Sequence, residues 1–462
     1  PWLESLWTNL LARVPLPPGK SIVPPTVRAD PRYVVTALKA GTPEAGEVGA
    51  GGVHRNAPAA AVEAALLQND RMTAAGHFQD VRHVVLDTGD AIRHSPGDVL
   101  YIMPQNPPEV VAEVAGYFGL SGDDLLMVQA NPAAGGPTVP SFFTDGDGMA
   151  VPRSVTAVLT EYLDIQAVPR RYFFELLATF ADDAREAERL HELCSAEGQD
   201  DLLAYANRVR RTSVEALRDF PSAQAGLKFE YLFDLFRPLQ PRAFSISSAL
   251  IAKPGVTELT VAIVQYSTRM AAPRVGVCTS WLMGLQPGGG TRLSVWAGAG
   301  TFKVPPWDVP LIMVGPGTGC APFRAILQHR VAEAEQAGGG PTVNVLFFGN
   351  RNQDGDFLHR HEWEEYERRG VLRLHTAFSR DQDHKVYVQH RMAEQSAALW
   401  ELLDSHGAVC MVAGNSKRMP TDVREALRDA AEKHGGMTTE AADKYLNVLE
   451  GPRVRRLQFE TW

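Results

Sequence analysis

Gly315-Pro316-Gly317-Thr318-Gly319 follows an apolar run, Val309 to Val314, and precedes a helical pattern from Pro322 to Gln336. In that context a glycine turn lets backbone N–H groups and a helix N-terminus approach a pyrophosphate. The loop lacks GxGxxG spacing, and alone it reads equally as a tight strand-to-helix turn that binds nothing. Further along, Ser379-Arg380 and then Lys385, Tyr387 and Gln389 gather a hydroxyl, a guanidinium, an ammonium and a ring. An NAD site carries an acidic residue there for the ribose hydroxyls, whereas this cluster suits a 2′-phosphate, with Tyr387 stacking on adenine. It predicts NADPH over NADH, the alternative being a solvated basic turn.

Arg242-Ala243-Phe244-Ser245 offers a guanidinium for a phosphate, a ring to cover a flat conjugated system and a hydroxyl for a ring nitrogen. Gly276-Val277-Cys278-Thr279-Ser280-Trp281-Leu282 is a second Gly-led helix start, and two cradles in two domains would imply two nucleotides. Taken singly, Phe244 and Leu282 read as core residues. His359, His361 and Glu362 lack the HExxH pair that would put two imidazoles on one helix face; they read as a charged helix surface, and no metal is assigned.

Those segments need elements to carry them. From Val309 onward, apolar strands at Pro310–Val314, Val343–Phe348, Leu372–Ala377 and Ala408–Ala413 each end in a glycine or polar loop and alternate with helices. This pattern predicts a parallel doubly wound sheet whose polar loops meet at the strands' carboxyl ends. Tyr33–Leu38, Val81–Leu86 and Val99–Ile102 read as strands of a β-rich unit, and strand patterns return at Ala243–Ser247, Glu258–Tyr266 and Arg292–Trp296. Between them, Tyr172–Leu193 and Asp200–Leu217 carry apolar residues at helical spacing. A helical block inserted into a β-barrel explains the interruption. The proline-rich stretch Val14–Pro31 reads as linker, and the Gly/Ala/Pro-rich stretch Ala40–Ala60 as a flexible excursion.

The 462 residues suggest about three domains. Apolar residues are 45% and charged residues 21%, as in globular proteins, which excludes a disordered or fibrous chain. Apolar runs are strand-sized, so no membrane span is expected. The net charge of −9 argues against nucleic-acid binding as a main activity. Cys194, Cys278, Cys320 and Cys410 have no zinc-ligand spacing and read as reduced thiols of a cytosolic protein. Pro1-Trp2-Leu3 has neither an initiator Met nor the look of a signal peptide, which suggests a piece of something longer.

In order along the chain, RAFS resembles an RxYS flavin motif, GVCTSWL an FAD-pyrophosphate motif, VGPGTGCAPFR an NADPH-pyrophosphate loop and SRDQDHKVYVQH a 2′-phosphate site. Together they resemble the FAD/NADPH reductase half of the diflavin reductases, the family of cytochrome P450 reductase. Phe459-Glu460-Thr461-Trp462 is similar to the family's flavin-shielding end. VPRRYFFELLA, VAGN and the ending ETW resemble the branch that passes electrons to anamorsin, a cytosolic iron–sulfur assembly protein.

The resemblance implies a ferredoxin–NADP reductase-like fold: a linker at 1–31 from an absent flavodoxin-like FMN domain, an FAD-binding barrel at 32–106 and 237–304, a helical connecting domain at 107–236, and an NADPH-binding α/β domain at 305–462. It implies that Arg242 holds the FAD pyrophosphate, Phe244 stacks on the isoalloxazine, Ser245 lies near its N5 and Tyr266 lies by the adenine. Gly276, Val277, Cys278 and Thr279 would wrap the FAD phosphates. Gly315, Gly317, Thr318 and Gly319 would meet the NADPH pyrophosphate, and Arg351 and Asn415 would lie beside that cofactor. Ser379, Arg380, Lys385, Tyr387 and Gln389 would hold its adenosine 2′-phosphate end. Ser245, Glu460 and Trp462 would act at the reacting centre, with Trp462 covering the flavin face.

The implied enzyme is a cytoplasmic monomer, with neither membrane nor nucleic acid as a partner, that moves a hydride from NADPH to FAD, then single electrons to FMN, present in the full-length protein only, and on to an anamorsin-like iron–sulfur protein. The alternatives are the same half of a P450, methionine synthase or sulfite reductase type enzyme, or a non-catalytic reductase-like scaffold. Three departures from the family pattern bear on the hydride site: Phe244 for Tyr, Ala413 and Asn415 for Cys and Asp, and Glu460 for Asp.

Overall fold

The computed structural model describes residues 2–16, 27–39, 54, 56–340 and 343–462. Most of the Ala40–Ala60 excursion and part of the expected linker lie outside the described residues. The chain divides into two compact units, Pro1–Gly49 with Asn106–Pro238, and Ala50–Gln105 with Leu239–Trp462. Ahead of the prolines, Trp2–Arg13 forms a helix, a run with neither Pro nor Gly to interrupt it. Among the described residues no helix is long and apolar enough to cross a membrane.

In the first unit, Tyr33–Leu38 is a strand as its pattern suggests, but it does not join the strands read alongside it. It pairs antiparallel with Leu125–Ala130, which pairs in turn with Arg153–Ser154. Its alternation buries Tyr33 and Val35 in this unit's core, and alternation specifies a buried face without specifying a partner strand. The helical stretch is broken more often than its spacing suggests, into Arg171–Ala178, Ala184–Cys194 and Ser213–Asp219 among others. The breaks follow capping chemistry. The Asp183 carboxylate accepts the amides of Arg185 and Glu186 at 2.9 and 3.0 Å, and Thr212 with Glu215 forms a reciprocal capping box. Phe142, Phe143, Phe174, Leu177 and Leu217 fill the core between these helices and the small sheet.

Among the described residues, the second unit holds two large sheets and a two-stranded ribbon, Gln265–Tyr266 with Arg274–Val275. Six antiparallel strands run in the order Arg242–Ser245, Val99–Ile102, Arg292–Gly298, Val62–Arg71, Val81–Asp87 and Val256–Ala262. Ile246, just past the first strand, bridges to Leu259 in the last, so the two ends of the sheet meet. Alternate residues such as Ala64, Leu66, Leu86, Leu100 and Val295 point to one apolar interior, which Cys278 and Leu282 of the helix Val277–Gly284 complete.

The other sheet has five parallel strands, in the order Arg373–Phe378, Asn344–Asn350, Leu311–Pro316, Val409–Gly414 and Leu457–Thr461. Its central strands are buried along nearly their whole length, which is why they read as continuous apolar runs.

A charged seam joins the two sheets of this unit. Arg324, on the helix Cys320–Gln336 and 4% exposed, donates to the Ser247 carbonyl at 2.8 Å, to Glu362 at 2.6 Å and to Glu258 of the antiparallel sheet. Glu258 also receives His83 Nε2 at 3.1 Å and the Lys253 ammonium. His359 Nε2 lies 2.9 Å from Thr260 Oγ1. The charged-surface reading therefore holds for His361, which is exposed, but not for His359 and Glu362, which turn into the seam. Trp363, fully buried beside them, sets that face of the helix inward.

Burial alone would raise the Glu258 pKa, but the His83 hydrogen bond, the Arg324 charge and the Lys253 contact hold its carboxyl well below the usual range. Burial, and then the Arg324 charge, push the His359 imidazole well below its ordinary value.

Removing one member of a buried ion pair strands the others. Arg324→Met is expected to cost about 3–5 kcal/mol of unfolding free energy, and Arg324→Met with Glu258→Leu to recover part of it. A denaturation midpoint unchanged in the single variant would show that the seam carries no such constraint. Acid should weaken the unit in two stages. Burial keeps His359 neutral and holds His54 down to about 4, while the unfolded chain protonates both near 6.5. Their contribution is whole above that pH and falls as pH drops below it. The Glu258 contribution, whole above about 4.5, is lost on further acidification. Guanidinium midpoints that stay level from about pH 7.5 to 5.5 would contradict the first stage.

Candidate functional site

The glycine loop sits at the carboxyl end of the central parallel strand, where open α/β sheets bind ligands. Its glycines do different work. A Cβ on Gly315 would fall 2.7 Å from the Phe323 ring, and one on Gly319 would fall 2.2 Å from the Ala413 carbonyl, so both permit close packing. Gly317 has φ +59° and open space around it, so its freedom serves the turn and its surface faces the cleft.

A cleft of about 630 Å³ opens beside this loop, lined by Gly317, Ser379, Tyr387, Gln389 and Asn415 from the connections that follow three of the parallel strands. Such a volume suits the adenosine half of a dinucleotide. Ser379 is buried at the end of the edge strand, with its N–H donating to the Asn350 carbonyl at 2.9 Å. Tyr387 is half-exposed where the helix Val388–Glu394 begins, and Gln389 donates to Asp422 at 3.1 Å. Arg380 and Lys385 are exposed and line no part of this cleft; neither side chain has an ion-pair partner among the described residues. The nearby Asp381 carboxylate is turned away, accepting Asn352 Nδ2 and the Gln353 amide at 2.9 and 2.8 Å. The cations are thus free to meet an anion.

A second cleft, about 380 Å³, shares Pro316, Gly317, Asn350 and Asn415 with the first, so the two adjoin. It brings Thr318 and Trp462 together with His77, Ala262 and Val264 from the antiparallel sheet's side. Trp462 is half-exposed and held by its backbone: its N–H donates to the Gly414 carbonyl at 3.0 Å and its carbonyl accepts the Ser416 N–H at 3.1 Å. Glu460 faces elsewhere, its carboxylate accepting the amide and hydroxyl of Thr301.

Arg242, Phe244 and Ser245 lie on the end strand of the six-stranded sheet, in register with Ile102, Leu100 and Val99. Gly276 caps the helix Val277–Gly284 with no side-chain hydrogen bond, leaving first-turn N–H groups of Val277, Cys278 and Thr279 for an anion. A Cβ on Gly276 would meet Thr279 Oγ1 at 2.8 Å and Val264 Cβ at 2.9 Å. The Cys278 thiol points into the apolar interior, where burial pushes it up to about 12 despite the opposing Arg242 charge. Cys278 can therefore offer an anion only its backbone; a cation would have to come from Arg242, whose Nη1 donates to the Gln240 carbonyl at 2.7 Å. This donor set fits a pyrophosphate. Tyr266 stands half-exposed on a short ribbon, paired with Arg274.

Arg351 lies outside both clefts, with Cζ 3.6 Å from the centroid of the Phe78 ring. Sequence reasoning missed Arg418, Met419 and Asp422, which line the first cleft, and His77 and Asp356, which line the second. The basic pair Lys417-Arg418 just after Asn415 could have flagged the former. No local pattern joins His77 to Asp356.

Models of two protein families match the chain: an FAD binding domain over residues 56–281 and an oxidoreductase NAD-binding domain over residues 313–425. Both fit a ferredoxin–NADP reductase-like architecture, the parallel sheet serving as the nucleotide domain. Among curated relatives, "NADPH-dependent diflavin oxidoreductase 1" of Bos taurus is 42% identical over 100% of this chain and 76% of its own length. The protein of that name from Danio rerio is 41% identical with the same coverage, and that from Arabidopsis thaliana 39% identical over 86% of this chain and 63% of its own. Two nucleotide-fitting cradles, the paired domains and this likeness across the whole of this chain describe an oxidoreductase that moves electrons from NADPH to FAD, and the chain belongs to the NADPH-dependent diflavin oxidoreductases.

Proposed function

We propose that the two adjoining clefts hold the NADPH dinucleotide, with its 2′-phosphate at Ser379, Arg380 and Lys385, its adenine at Tyr387 and Gln389, and its pyrophosphate at Gly315, Gly317, Thr318 and Gly319. Asn415 borders both clefts and Arg351 lies beside the dinucleotide. The observation that carries this reading is the first cleft, which gathers Gly317, Ser379, Tyr387, Gln389 and Asn415 at the carboxyl ends of a parallel sheet. Arg380, next to Ser379 in the chain, is exposed, has no ion-pair partner among the described residues, and donates its N–H to the Arg351 carbonyl at 2.8 Å.

The FAD pyrophosphate is assigned to Arg242 and the helix start at Gly276–Thr279, the isoalloxazine to Phe244, and the adenine to Tyr266. The six-stranded sheet, whose ends meet at Ile246 and Leu259, is read as the flavin barrel, and 107–236 as a helical connecting domain inserted in it. Bound FAD supplies acceptance of an electron pair and its release one electron at a time. Ser245 orients the reacting edge by a hydroxyl hydrogen bond, and Trp462 shields the flavin face and excludes water until nicotinamide replaces it. Glu460 anchors the strand that carries Trp462, through Thr301. That task is positional, and it differs from a direct part in the chemistry.

Downstream, the name borne by the relatives specifies two flavins. We assign the second to an FMN domain of the longer protein, and the final acceptor to an anamorsin-like iron–sulfur protein in the cytoplasm.

Two experiments test these assignments. Arg380→Ala is expected to weaken NADPH binding by about 1.5–3 kcal/mol, the worth of a charged hydrogen bond, with NADH binding little changed. An equal loss for both nucleotides in titration calorimetry would make the arginine structural. In the full-length protein supplied with NADPH, an anamorsin-type iron–sulfur protein should be reduced faster than a cytochrome P450 at equal concentration. The reverse order of initial rates would place the chain in the P450-reducing class.

A further inference from the structure

Phe78 is 64% exposed, yet it sits at the tip of a firmly held loop. Thr73 Oγ1 donates to the Gln79 carbonyl at 2.9 Å, and Arg71 Nη2 donates to the His77 carbonyl at 2.8 Å. This loop joins two strands of the antiparallel sheet, but it clips onto the parallel sheet's Asn350–Asp356 loop. The Ala74 N–H donates to the Gly355 carbonyl at 2.9 Å, and His77 Nε2 lies 3.0 Å from Asp356 Oδ2. The same Asp356 carboxylate accepts the amides of Arg351 and Asn352 at 3.1 and 2.8 Å. One carboxylate thus fixes both the backbone of Arg351 and the residue next to Phe78. The circuit closes through the side chains, with the Arg351 guanidinium over the Phe78 ring at 3.6 Å.

An aromatic ring at the end of such a loop fills no core. It packs on one side against the His77 imidazole, ring centroids 4.6 Å apart, and it occupies one face of a guanidinium whose N–H groups have no hydrogen-bond or ion-pair partner among the described residues. A guanidinium binds a ring with its face and an oxyanion with its edge, so the stack holds the cation in place while leaving its donors free.

We propose that Phe78 is a positioning residue for the dinucleotide, its ring holding the Arg351 guanidinium with its edge available to a phosphate oxygen. This rests on the placement of Arg351 beside the nucleotide, and the experiment separates the two. Binding of NADP+ to the FAD-loaded chain is measured by titration calorimetry, with thermal midpoints recorded for each variant. Arg351→Ala is expected to raise Kd on the order of tenfold or more. Phe78→Ala should raise it roughly two- to fivefold, the size of one exposed cation–π contact. Phe78→Tyr, which keeps the ring, should bind as the parent does; Phe78→Leu, which keeps bulk without a π face, should bind as Phe78→Ala does.

In the Arg351→Ala background, Phe78→Ala should add nothing, because its effect runs through the guanidinium. Additive losses, or a Phe78→Ala Kd equal to the parent's beside a weakened Arg351→Ala, would overturn the positioning role alone. An Arg351→Ala protein that binds NADP+ as the parent does would overturn the placement of Arg351 as well.

Discussion

Arg324, held between Glu258 and Glu362, is the constraint on which the geometry of the second unit depends. Its partners come from different places: Glu258 from a strand of the antiparallel sheet, Glu362 from a helix of the parallel one, and Ser247 from the segment just past the end strand Arg242–Ser245. Buried charges tolerate little displacement, because a shift that breaks one contact leaves an ion without water or partner. The seam therefore contributes less to net stability than to the uniqueness of the docked arrangement. The cleft that holds Trp462 takes Ala262 and Val264 from one sheet and Thr318 and Asn415 from the other, so its width is set by that docking.

The parallel sheet was legible because both its faces are covered. Strands such as Leu311–Pro316 and Val409–Gly414 are apolar at consecutive positions, and each ends at a glycine or polar loop. The last strand, Leu457–Thr461, carries Gln458 and Glu460 among its apolar residues and gave no such run. Val62–Arg71 escaped notice for a related reason. Its interior residues include the small Ala64, and its polar end, Gln68-Asn69-Asp70-Arg71, resembles a turn. Tyr33–Leu38 was readable as a strand and misplaced as to partner, since periodicity has no information about what lies beside it.

The site divides along the same line. Glycine loops and the basic cluster are local in sequence, and the structure brings Gly317 with Ser379, Tyr387 and Gln389 to one cleft while Arg380 and Lys385 stand outside its lining. The charged seam and the His77–Asp356 contact join residues far apart in the chain, each unremarkable where it stands. Cys278 shows a subtler limit. Its position in the motif is evident from sequence, but whether thiol or backbone faces the anion depends on which side of the helix the apolar interior claims, and here the interior takes the thiol.

The terminal strand has a further consequence. Leu457–Thr461 is an edge strand, joined to the sheet on one side only, and its last pairing sets Thr461 against Gly414 immediately before Trp462. Edge strands, held by hydrogen bonds on one side only, open locally at a fraction of the cost of global unfolding. Fraying here would break the hydrogen bond from the Trp462 N–H to Gly414 and carry the indole out of the cleft with the backbone. Unzipping the sheet's edge and uncovering the cleft are thereby a single local event, and the strength of a few ladder hydrogen bonds governs how often the site stands open.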